Sequence, residues 1–250
     1  MTGATTLITQ NFTWYDSNPV GSPQDNHFWL VAGDSPYPAT IFGASPFNLY
    51  TANFDTGVAN FYSSGGSALD LAYDSDHNVL YSSLGDRLAT IPLVPCSGPC
   101  PPIPVVGQFP FPIYAMGYVP GDGLYGVDPA TGTLWRIDVH TAALTPVGPT
   151  GIFLANGLSI TDIEFDTATG RMIASAGGPE PYFSGTSGTP FASGKIYLLD
   201  RFTGATTLLN GNAPNFFSLA EVSPEPASLI LVGAALLALG VRSRFRRILS

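Results

Sequence analysis

The sequence predicts an all-β chain made of repeated units of about four strands each, and three observations predict it. Two kinds of short apolar segment recur along the 250 residues, their copies stand at a mid-forties interval, and turns containing Asp and Gly separate them. The first kind is Leu69-Asp70-Leu71-Ala72-Tyr73-Asp74, then Tyr114-Ala115-Met116-Gly117-Tyr118-Val119, then Thr161-Asp162-Ile163-Glu164-Phe165-Asp166. From Asp70 to Ala115 to Asp162 the steps are 45 and 47 residues. A polar or Gly-containing turn follows each copy, and then a second apolar pair: Leu80-Tyr81, Leu124-Tyr125 and Met172-Ile173. The second kind is Leu134-Trp135-Arg136-Ile137-Asp138, which matches Ile196-Tyr197-Leu198-Leu199-Asp200 without gaps, with a shorter copy over Leu49-Tyr50-Thr51-Ala52-Asn53.

The turns have a mechanism. Asp128-Pro129-Ala130-Thr131-Gly132 and Asp166-Thr167-Ala168-Thr169-Gly170 start with Asp, which caps the turn, and end in Gly, which takes the left-handed conformation. Turns of this type close hairpins with a bulge, so backbone capping rather than metal binding is the expected role of their aspartates. Short strands, such turns and this period match the four-stranded blade of a β-propeller. At about 45 residues per blade, about 220 residues give four to five visible blades, near the lower limit for closing a ring. A sandwich or solenoid of the same hairpins is the fallback. The Asp-x-x-Thr-Gly copies resemble the hairpins of NHL-type or quinoprotein-like blades across roughly residues 45–210, without a signature that would single out a subfamily.

Thr2-Gly3-Ala4-Thr5-Thr6-Leu7 repeats Thr203-Gly204-Ala205-Thr206-Thr207-Leu208 identically, which puts Met1 where Phe202 stands, directly after a strand. The expectation is a natural reading frame that starts further upstream, with a signal peptide and at least one more strand. A ring closed by an N-terminal strand pairing into a C-terminal blade is the alternative. Residues 1–8 themselves carry neither a basic start nor an apolar run.

Composition narrows the function classes. Hydrophobic residues make up 45% and charged residues 11%, well below the usual quarter of a soluble domain. Sixteen Phe, eleven Tyr and three Trp argue against disorder, because so much aromatic surface must be buried or bound. Nine basic residues against eighteen acids exclude a nucleic-acid binder of the basic-patch type. The charge is uneven: the chain before Pro224 has a net charge of −12, and the remainder, with four Arg against Glu225, has +3. Two environments rather than one are implied.

Between the two lies Ala227–Val241, fifteen residues in which only Ser228 is polar. As a helix it would be about 22 Å long, short of a hydrocarbon core of ~30 Å, so a buried C-terminal helix is one reading. Against that, the run is apolar on every side and is followed at once by Arg242, Arg244, Arg246 and Arg247, which resemble a cytoplasmic flank. A transmembrane helix is therefore expected, with residues 1–223 outside the cytoplasm. Ser223-Pro224-Glu225-Pro226, an apolar helix and an Arg-rich end, in this order, resemble the PEP-CTERM sorting module of Gram-negative bacteria over residues 223–250. The resemblance implies that Pro224, Glu225 and Pro226 are a recognition motif for an exosortase-like enzyme in the inner membrane. It implies equally that 227–241 is a transient anchor, that the four Arg in 242–250 are a stop-transfer tail, and that the processed protein goes to the cell surface or the exopolysaccharide matrix of a biofilm. Two prolines also leave the stretch ahead of the helix extended and accessible.

Residues 1–222 are then the exported propeller-like domain, with a Pro-rich insertion at 92–104 expected between blades. Cys96 and Cys100 within it are expected to form a small-loop disulfide, since zinc would need four ligands and no His lies near in sequence. Asp74-Ser75-Asp76-His77-Asn78 mimics the first half of a calcium loop, but Val79 and Gly85 stand where such a loop needs Gly and Glu. No cofactor is expected, weak calcium binding by this turn being the alternative. His27, His77 and His140 are scattered, and no nucleophile elbow, metalloprotease motif or phosphate loop occurs. No catalytic residue and no metal site is therefore assigned.

The function expected is a non-catalytic binding or structural module at the cell surface or in the matrix. A neutral exopolysaccharide or a surface protein is its expected partner, because the domain's own negative charge repels anionic polymers. Aromatic pairs such as Trp14-Tyr15 and Phe28-Trp29 can stack on sugars, although core packing is the ordinary use. A matrix polysaccharide hydrolase or lyase is the alternative, with Asp162 and Glu164, on one strand face, as its nominees.

Overall fold

The computed structural model describes residues 69–93, 102–154, 157–177 and 194–211 in full, and beyond them the backbone of strands within 13–64 and of 212–213. Four sheets are found among the described residues. Blade A holds β1 (Thr13–Tyr15), β2 (Ala32–Tyr37), β3 (Thr40–Ala44), β4 (Asn48–Asn53) and β5 (Val58–Ser64). Blade B holds β6 (Asp70–Asp74), β7 (Val79–Ser83), β8 (Arg87–Ile91) and β9 (Val105–Gln108). Blade C holds β10 (Ala115–Val119), β11 (Gly123–Val127), β12 (Thr133–Ile137) and β13 (Leu144–Pro149). Blade D holds β14 (Ser159–Asp166), β15 (Arg171–Gly177), β16 (Gly194–Leu199) and β17 (Thr206–Ala213).

Blades B, C and D are four-stranded antiparallel meanders in chain order. Blade A is a meander of β2 to β5 with β1 added in parallel outside β5. The first segment kind of the sequence is the first strand of blades B, C and D, and the second kind is the third strand of blades A, C and D. The first strands pack successively, β2 on β6, β6 on β10, β10 on β14, as the inner strands of propeller blades do.

Both faces of a middle blade are buried, which explains its sequence. Met116, Leu124 and Ile137 of blade C join Ala72, Tyr81 and Leu88 of blade B in one core. Val119, Tyr125, Val127 and Leu134 of blade C join Ile163, Met172, Ala174 and Leu199 of blade D in the next. Alternate residues of one strand thus serve two cores, so β10 is buried along its whole length and reads as an apolar run instead of alternating. Burying Leu124 and Leu134, both at 0% exposure, contributes about 2 kcal/mol each.

Glycines set how closely the blades approach. A Cβ on Gly107 of β9 would lie 2.4 Å from the Thr141 carbonyl oxygen, and one on Gly148 of β13 would lie 2.1 Å from that of Thr203. The two glycines occupy equivalent places, opposite Leu88 and Leu134 in their own sheets. In each case an outer strand is seated under the last turn of the following blade.

The Pro-rich insertion is not between blades. It links β8 to β9, which pair through Arg87 and Gln108, so it lies within blade B. The sequence concealed this because β9 is short, half-exposed and follows a run of prolines that mimics a linker.

Candidate functional site

Successive turns of a meander alternate between its two ends. The turns after β6, β10 and β14 therefore share one end with those after β12 and β16, and the contacts between them agree. Asp138, Asp166 and Asp200 are turn caps. Asp138 accepts from the backbone N–H of His140 and Thr141 at 2.8 and 3.1 Å, and Asp200 from that of Phe202 and Thr203 at 2.8 and 3.2 Å. Asp166 does the same for Ala168 and Thr169. Gly170 and Gly204 close these turns at φ of 69° and 77°, and Ala142 takes the same conformation at 61°. At the opposite end, Asp128 caps its turn through Thr131 and also accepts from the Trp135 indole N–H at 3.0 Å.

Blades B and C are clasped at the first end. Asp74, buried, accepts from the backbone N–H of Asp76 and His77 and lies 2.8 Å from His77 Nδ1. Asp76, exposed, accepts from the Tyr118 hydroxyl at 2.8 Å and the Gly121 N–H at 2.5 Å. The Gly121 bond foremost, then Tyr118, holds the Asp76 carboxyl below its ordinary value. Burial, then hydrogen bonds to Asp76 and Asp74, pushes the Tyr118 hydroxyl up. The first half of a calcium loop is thus spent on a capped turn and an inter-blade bond. Among the described residues no three His, Cys, Asp or Glu side chains gather to hold a metal.

A groove of about 360 Å³ opens beside this clasp on blade C. Asp122, Gly123, Arg136, Asp138, His140 and Thr145 are among the residues that line it. Asp122 organises its rim. Its carboxylate meets Arg136 Nη2 at 3.3 Å and Arg201 Nε of blade D at 3.1 Å, and accepts from the Tyr125 hydroxyl at 2.9 Å. The Arg201 contact is an ion pair off the line of a hydrogen bond. Burial, then the bond to Asp122, pushes the Tyr125 hydroxyl up to about 12. The Arg201 guanidinium lies 4.6 Å over the ring of Phe202, which is 73% exposed.

Sequence reasoning did not find this groove, though its signal is present. Aligning the two copies of the second segment kind puts His140 opposite Phe202, and both fall on exposed turns one blade apart. Asp162 and Glu164 do share one strand face, opposite that of Ile163, which packs on Gly117. Asp162 is 1% exposed and Glu164 is half-buried. Pro224, Glu225 and Pro226, the 227–241 segment, Arg242, Arg244, Arg246 and Arg247, Cys96 and Cys100, and Phe28-Trp29 lie outside the described residues. Among those described, no helix is long and apolar enough to cross a membrane.

No family model matches the chain, and no curated protein does. Solved structures do. A chain of a nidogen–laminin complex superposes with a TM-score of 0.51 at 12% identity, over 77% of this chain and 68% of that one. A protein of unknown function from Bacteroides thetaiotaomicron VPI-5482 superposes with a TM-score of 0.47 at 12% identity, over 76% of this chain and 64% of that one. The first likeness bears on the fold and, at that identity, on nothing else. With the successive packing of the inner strands, it makes the described part of the chain an all-β, propeller-like repeat protein.

Proposed function

We propose that the chain is an exported, surface-directed binding protein: a propeller-like domain over residues 1–222 that presents a turn-lined groove, and a sorting signal over 223–250. The observation that carries the destination is the ordered module of Pro224-Glu225-Pro226, the apolar 227–241 segment and the Arg-rich tail. On this reading an exosortase-like enzyme processes the chain at the inner membrane, and the domain reaches the surface or matrix, where a neutral exopolysaccharide or surface protein is its partner. The charge-paired rim of the groove supports binding. The burial of Asp162 weighs against the alternative of a hydrolase or lyase using Asp162 and Glu164, since an acid or base must reach its substrate.

Intact and terminal-peptide mass spectrometry of the protein recovered from its producing cells tests the destination. A C-terminus near Pro226, with the four Arg absent, is the expected result. A chain still ending at Ser250 in the inner membrane would overturn the sorting reading and leave a tail-anchored protein.

A further inference from the structure

We propose that the blade C groove, with Phe202 linked to its Asp122 through Arg201, is a binding site for a neutral, hydroxyl-rich carbohydrate, an inference that rests on the domain being a binding module. Charge is the first argument. Asp122 and Asp138 are balanced by Arg136 and Arg201, and three of these four groups are already ion-paired. An anionic polymer would have to displace Asp122 from its two guanidinium groups, and a cation would have to displace the guanidinium groups from Asp122. A neutral polyol leaves the pairs intact and uses the hydrogen-bonding capacity they still expose, carboxylate oxygens as acceptors and the Arg136 fork as donor.

Order is the second argument. Asp122 is fixed by Tyr125 and two arginines, and Asp138 by the N–H groups of His140 and Thr141, so little freedom remains to be lost on binding. The His140 N–H foremost holds Asp138 below its ordinary carboxyl value.

The aromatic ring is the third. Phe202 stands 73% exposed with a guanidinium over one face, and the turn that carries it is held against blade C at Gly148. An exposed aromatic ring joined through Arg201 to a groove aspartate suits the apolar C–H face of a pyranose ring. The ion pair between Arg201 and Asp122 ties that ring to the groove across two blades.

Affinity electrophoresis tests this with the full chain in a non-ionic detergent free of sugar, in native gels containing galactomannan, mixed-linkage β-glucan, dextran or alginate. At least one of the three neutral polymers is expected to slow the wild type, and alginate is not. Phe202→Ala and Arg136→Ala are each expected to weaken that retardation by about tenfold, and Phe202→Trp to keep it. Unchanged melting temperatures would show that the variants fold, and Phe202→Ala alone decides the matter if Arg136→Ala does not. No retardation by any neutral polymer, or retardation by alginate alone, would overturn the carbohydrate assignment. Retardation unaffected by Phe202→Ala would overturn the groove while leaving a binding module that uses another surface.

Discussion

Asp128 shows how much one side chain fixes. It is 3% exposed, and its carboxylate accepts from the backbone N–H and hydroxyl of Thr131 at 2.7 and 2.6 Å and from the Trp135 indole at 3.0 Å. Burial by itself would raise its carboxyl, but the bonds from Thr131 and Trp135 outweigh burial and hold it below 3.8. With a folded value below the unfolded one, the unfolded chain takes up the proton first as pH falls. The stability Asp128 contributes is therefore present above pH 3.8 and lost as pH falls through the folded value. Asp128→Ala should cost about 2–3 kcal/mol at pH 7, read from urea midpoints. Asp128→Asn should lose less stability than the wild type between pH 5 and pH 3. Equal losses would show that the carboxylate is not what the turn depends on. This role was legible in the sequence, because Asp at the start and Gly at the end of a five-residue turn have few other uses. The Trp135 bond was not, because it depends on where a third strand returns.

Elements are positioned by what the glycines between them allow. Gly148 faces a carbonyl of blade D, whereas Gly170, which closes a capped turn, stands in open space at φ 69°. Gly148→Ala should cost about 3 kcal/mol by forcing two blades apart, and Gly170→Ala about 1 kcal/mol from backbone strain alone. Urea unfolding of the two variants decides this, and equal costs would remove the close inter-blade approach from the account. The strands themselves were legible where apolar residues and repeats marked them, as in β6, β10, β12, β14 and β16. The outer strands β9 and β13 were not, because they are half-exposed and carry no alternation. The misplacement of the 92–104 insertion followed from the same lack of signal.

Across the whole molecule, neighbouring blades depend on one another through buried bonds as well as apolar contact. Asp70 of β6, at 0% exposure, accepts from the Met116 N–H of β10 at 2.5 Å, and joins blade B to blade C. Asp70→Ala leaves that buried N–H without its carboxylate and should cost about 2–3 kcal/mol. Since β10 also packs on β14, amide exchange should quicken in blades B, C and D together. Quickening confined to B and C would show that the blades open as separate units. The described arc also explains the composition. Sheets covered on both faces need few charges, and among the described residues many of those present stand on turns at the ends.

The sequence by itself determined the all-β class, the repeat, the capped turns and the segment boundaries of most inner strands, because each rests on short local patterns and their recurrence along the chain. The order of Pro224-Glu225-Pro226, the apolar 227–241 segment and the Arg-rich tail is likewise local. Only the tertiary structure decided which blade holds the Pro-rich insertion, which glycines are pressed by a neighbour, and that Asp122, Arg136, Arg201 and Phe202 meet. Those four residues come from two blades and are separated by up to 80 positions in the chain. Their meeting is set by the packing of one sheet on the next, and no short-range pattern encodes that.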